Sequence, residues 1–116
     1  AGHPSIAYKV LTAPQMAQLE TDGIFAGAPI DLADGYIHLS TAAQLDETVS
    51  KHFAGQDALH IAAVDLSALG NIVKWDPSRG GTLFPHIYGP LPISALLSYG
   101  PLTKGADGKV TLPVAG

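Results

Sequence analysis

The stretch ALHIAAVDL, residues 58–66, limits what this chain can fold into more than any other. It is an apolar run of strand length that ends at the short turn SALG, and a strand apolar on both of its alternating faces needs cover on both sides. The run therefore predicts a central strand inside a layered fold.

The neighbouring segments supply the layers. IAYKVL (6–11) is rich in strand formers, and LTAPQMAQLETDG after it has Thr12 as an N-cap, Pro14 early and Gly23 as a stop, which predicts a short helix. IFAGAPIDLADG, with its glycines, proline and aspartates, predicts a loop leading into a strand at 36–39. TAAQLDETVSKHF places Ala42, Leu45, Val49 and Phe53 at helical spacing, with Thr41 and Gln44 as a capping box and Gly55 as the C-terminal stop, so the main helix belongs here. NIVKWD and LFPHIYG predict two more strands separated by the loop PSRGG, and LLSYGPLTKGADGKVTLP predicts a hairpin turning at Asp107-Gly108. The order of elements predicts an α+β fold with an antiparallel-rich sheet, in a single domain over 1–116 whose C-terminal hairpin spans about 98–113.

Composition removes several functions. A chain of 116 residues fits one core, and 47% hydrophobic with 14% charged residues excludes disorder. A net charge of -4 with six scattered Lys and Arg gives no footprint for nucleic acid. No apolar stretch approaches the ~20 residues that span a bilayer, and AGHPSIAYKV lacks a basic segment running into a long apolar one, so a soluble cytoplasmic protein away from the membrane is expected. With no cysteine, disulfides, thiolate nucleophiles, Cys-type zinc sites and Fe–S clusters are excluded. A metal would need folding to assemble His38, His52 and His86, since no His-Glu-x-x-His motif is present, and no metal is expected.

Two segments carry chemistry. GYIHLST and FPHIYG both read aromatic, any, histidine, any, hydroxyl. Residues two apart in a strand share a face, so Tyr36, His38 and Ser40 point one way, as do Phe84, His86 and Tyr88. If the two strands line one cleft, their imidazoles, rings and hydroxyls suit a planar ring and a sugar. The structural alternatives are core histidines with satisfied nitrogens, Ser40 capping the following helix, and Tyr88 covering a core edge. Arg79, the only arginine, lies in DPSRGG, where its fork suits a phosphate or carboxylate, and Trp75 beside it offers a stacking face. His52 sits near the end of the main helix, where a structural role suffices. Without a Gly-x-Ser-x-Gly elbow, a hydrolase triad built on Ser40 is set aside.

DGYIHLSTAAQLDETVSKHFAGQDAL and VKWDPSRGGTLFPHIYGPLP together resemble the bacterial domain of unknown function 952 family, over residues from about 8 to 97. The resemblance implies an ADP-ribosyltransferase-like fold: two small antiparallel-rich sheets at an angle around a cleft, with one main helix and one short helix. In active relatives that cleft holds NAD. By that pattern His38 and Ser40 contact the ribose, and Tyr88 or Trp75 stacks on the nicotinamide. Such sites usually add a glutamate, but Glu20 and Glu47 both fall in predicted helices, which leaves Asp76 as the substitute and His86 as the acid–base group. The implied ligand is NAD, ADP-ribose or a related phosphorylated nucleoside, with Arg79 on a phosphate. The implied reaction is transfer or removal of an ADP-ribosyl or phosphate group. The alternative is a non-catalytic ligand-binding or interaction module with structural histidines. Sequence leaves the oligomeric state open.

Overall fold

The computed structural model describes residues 3–78 and 81–113. Along the chain run β1 (Ile6–Leu11), α1 (Ala13–Asp22), β2 (Ile24–Phe25), α2 (Pro29–Asp34), β3 (Ile37–His38), α3 (Ala42–His52), β4 (His60–Asp65), β5 (Val73–Ser78), β6 (Thr82–Ile87), β7 (Leu91–Pro92) and β8 (Leu96–Pro101).

The apolar run becomes β4, the middle strand of an antiparallel sheet ordered β1-β4-β8. Its alternation divides the core in two. Ala62 and Val64 pack with Ala7, Leu11 and the α1 residues Met16 and Leu19, whereas Ile61 and Ala63 pack with Tyr8, Val10 and the α3 residues Leu45 and Val49. The strand is thus covered on both sides, each large buried side chain contributing about 1.5–3 kcal/mol.

A second antiparallel sheet is ordered β3-β6-β5, and β2 pairs with β7. The two larger sheets join at a single antiparallel bridge: the Tyr8 amide donates to the Ser40 carbonyl at 2.7 Å, and the Ser40 amide returns the bond to Tyr8 at 2.9 Å. That bridge sets the end of β3 against the middle of β1.

Local chemistry fixes the helices. Thr12 and Gln15 form the capping box of α1, and Gly23 closes it at φ 73°. Thr41 and Gln44 do the same at the start of α3, which ends at His52, ahead of Gly55.

Three expectations change. The loop expected around residues 24–35 contains α2, a third helix. It has six residues and no apolar periodicity; what starts it is the Asp31 carboxylate, which accepts the Ala28 amide at 2.8 Å, with Pro29 in the first turn. LLSYGP does not fold back on the tail but pairs with β4, from His60↔Pro101 to Val64↔Leu96, because the open edge of β4 takes it. The expected hairpin reduces to one bridge, Lys104↔Val110, with Gly108 in the turn at φ 80°. β5 also runs two residues into the segment read as loop, pairing with β6 as far as Ser78↔Thr82. The result is a small α+β fold with three helices and several antiparallel sheets. Among the described residues no helix is long and apolar enough to cross a membrane.

Candidate functional site

The register of β3 on β6 pairs His38 directly with His86. Their ring centroids lie 5.3 Å apart, edge to face. Tyr36 completes the cluster, stacked on His86 at 4.1 Å and tilted against His38 at 4.9 Å and Tyr88 at 5.1 Å. The doubled sequence pattern is therefore one cross-strand aromatic and imidazole cluster.

Each imidazole rests on aspartate, and the two arrangements differ. His38 Nδ1 lies 2.6 Å from Asp31 Oδ1 and its Nε2 lies 2.9 Å from Asp34 Oδ2. Carboxylates only accept, so both contacts are hydrogen bonds when the ring carries both protons. Asp31 is 1% exposed and binds four further donors or contacts: the Lys9 ammonium at 3.0 and 3.3 Å, the Ala28 amide and the His38 amide at 3.1 Å. Burial pushes the Asp31 carboxyl upward, but the His38 bond, the Lys9 charge and the Ala28 amide outweigh it and hold it at about 2. Burial likewise lowers the Lys9 ammonium, with Asp31 opposing the shift.

His86 donates Nδ1–H to Asp76 Oδ2 at 2.9 Å, and the Tyr88 hydroxyl donates to the same oxygen at 2.6 Å. Burial holds His86 below its ordinary value against the pull of Asp76, so at neutral pH the ring is uncharged. With Nδ1 protonated, Nε2 keeps its lone pair, and among the described residues no hydrogen bond reaches it. The bonds from Tyr88 and His86 lower the Asp76 carboxyl, and Asp76 in turn pushes the Tyr88 phenol up to about 12.

A cavity of about 270 Å³ opens beside the pair, between the two sheets and α3, with Lys9, Asp31, His38, Ser40, Thr48 and His86 among its lining. Ser40 does not cap α3, because Thr41 does; its hydroxyl instead meets Thr48 Oγ1 at 2.7 Å. His52 reaches the same cavity from the end of α3.

The structure thus brings His38, Ser40 and His86 to one cavity and ties Tyr88 to it through Asp76. Trp75 is not brought there. It pairs with Pro85, one residue out of step with Asp76, so it faces the other side of the sheet, where it packs on the α1-side core and stacks on His3 at 4.1 Å. Arg79 lies outside the described residues. Sequence reasoning missed Lys9, Asp31 and Asp34. The one signal for the two aspartates was their place, between Pro29 and Gly35, just ahead of the first histidine strand.

Fold and site together define a small α+β protein with a cleft built on a cross-strand histidine pair, each histidine held by carboxylate. Over residues 10–99 the chain matches the family described as Protein of unknown function (DUF952), and it belongs to that family. It is similar to protein CC0527 from Caulobacter crescentus. The crystal structure of that protein is 42% identical with a TM-score of 0.83, covering 91% of this chain and 93% of that one. A crystal structure of its double mutant gives 40% and 0.83 over the same shares. Its solution NMR structure gives 42% and 0.78, with 91% of each chain covered. No curated protein matches the chain.

Proposed function

We propose that the cleft binds the nicotinamide–ribose end of NAD, or ADP-ribose or a related nucleotide, as a cytoplasmic transferase with an ADP-ribosyltransferase-like arrangement of its two larger sheets. The observation that carries this reading is the His38–His86 pair, set 5.3 Å apart with Tyr36 stacked on His86, in the lining of a cavity of about 270 Å³. The rings offer faces to a planar base, and Ser40 stands beside them for a ribose hydroxyl. Breaking the N-glycosidic bond develops positive charge on the sugar. Asp31, Asp34 and Asp76 gather around the histidines where a glutamate would otherwise stabilise that charge. His86, neutral and oriented by Asp76, takes the proton of the attacking group at Nε2. Arg79 is the residue assigned to a phosphate.

One observation favours a second reading, a non-catalytic binding module. Both ring nitrogens of His38 are already engaged by Asp31 and Asp34, so it meets a ribose only if the exposed Asp34 swings away. Mass spectrometry of NAD incubated with the protein separates the two. The transferase reading expects nicotinamide release that His86→Gln abolishes; saturable binding without release supports the module.

A further inference from the structure

The histidine wall of the cavity has a single hydrogen-bonding sense. The three N–H donors of Lys9 face three acceptors: both oxygens of Asp31 and the His38 carbonyl at 3.1 Å. The two ring nitrogens of His38 face the carboxylates of Asp31 and Asp34, which offer only acceptors. Thr48 gives its one hydroxyl proton to the Gln44 carbonyl at 3.1 Å, so in the 2.7 Å contact with Ser40 it is Ser40 that donates. His86 gives Nδ1–H to Asp76. Every side-chain donor of these residues is spent inside the protein.

What remains for a ligand are acceptors: Nε2 of His86, the lone pairs of Ser40 Oγ, and Asp34 Oδ1. His86 and Ser40 are 2% and 4% exposed and both line the cavity, so a ligand meets these acceptors from inside it. The charge has the same sense, with the carboxylates of Asp31, Asp34 and Asp76 set against the Lys9 ammonium. Around these groups the lining is apolar: Val10, Ile30, Leu39, Phe53 and Phe84. Tyr8 and His52 complete it on the side of α3.

We propose that this cavity is a binding site for a small organic cation bearing N–H donors on a compact apolar body: an amidinium, guanidinium or primary ammonium on a single ring or short chain. The head group lies against Ser40, His86 and Asp34, and the body lies against Phe53 and Phe84. A volume of about 270 Å³ suits a one-ring ligand. An anionic head of the same shape meets, at Ser40, His86 and Asp34, lone pairs and negative charge. The site does not depend on NAD.

Benzamidine and benzoate test this, because they match in size and shape and differ in charge and hydrogen-bonding sense. Each is titrated into the full chain and followed by amide NMR. The expected result is saturable benzamidine binding at least about tenfold tighter than benzoate, with shifts at residues 38–40 and 84–86, weakened in Asp34→Asn, whose exposed side chain can be changed without loss of the fold. Equal affinities, a preference for benzoate, or no saturable benzamidine binding overturns the proposal. NAD titrated in parallel keeps the two readings apart: benzamidine binding without NAD binding leaves this site standing and removes the NAD reading, and the reverse result removes this site alone.

Discussion

His38 and His86 face each other across the β3–β6 ladder, yet one lies between two carboxylates and the other shares a single carboxylate with a tyrosine. The pairing is symmetric in backbone and asymmetric in charge. That asymmetry engages both ring nitrogens of His38 and only one of His86, and it sets most of what can be measured.

Asp76→Asn tests the His86–Asp76–Tyr88 link. A carboxylate favours a charged imidazole and disfavours a phenolate, so removing it lowers both titrations. The His86 midpoint, already below its ordinary 6.5, falls further, and Tyr88 drops from about 12 toward 10.0. NMR titration of the two rings reads both; an unmoved Tyr88 contradicts the link.

Asp31→Asn leaves Lys9 buried without its charge partner, in a protein whose Lys9 side chain is 7% exposed. Breaking such a pair costs about 3–5 kcal/mol in urea unfolding. Adding Lys9→Met to that variant removes the stranded charge and recovers part of the loss, a coupling that a double-mutant cycle measures.

Stability against pH follows from the same groups. Asp31 falls from 3.8 unfolded to about 2 folded. Its contribution, about 2 kcal/mol, is full above the unfolded value and is lost as pH falls through the folded one. His86 is also lowered, from 6.5, so its contribution is full above that value and declines as pH drops through its folded value. Unfolding free energy should therefore descend in two stages as pH falls below 6.5. The acid stage should shrink in Asp31→Asn to the part that Asp76 contributes, and the milder one should be missing in His86→Gln.

Thr12→Ala and Thr41→Ala each remove a capping box from a different helix. Each should cost about 1 kcal/mol, and the two losses should add.

Those caps mark what was legible in the sequence. Thr12, Gly23, Thr41 and Gln44 act within a few residues of themselves, so both longer helices could be read directly, and the apolar run of β4 announced its two covered faces. The His38–His86 pair was legible as a repeated pattern, because strand periodicity puts Tyr36 with His38 and His86 with Tyr88 whatever the partner strand. α2 was not legible. Its start depends on the Asp31 carboxylate, which also holds Lys9 22 residues away in sequence, a contact no local window contains. Trp75 looked like a site residue because it offers a stacking face near Arg79, but neighbours in a strand face opposite sides, and only the register with Pro85 and Phe84 decides whether Trp75 or Asp76 meets His86. The destination of LLSYGP was equally hidden, since the turn at Gly108 is real and the competing edge of β4 lies far away in sequence.

The central claim, that the histidine pair holds the nicotinamide–ribose end of a nucleotide, is tested most directly by thermal unfolding with millimolar NAD or ADP-ribose. The account predicts a saturable rise in Tm for the unaltered chain and its disappearance in Ser40→Ala and His86→Gln variants that still unfold cooperatively. No rise at millimolar ligand, or the same rise in those variants, would contradict it.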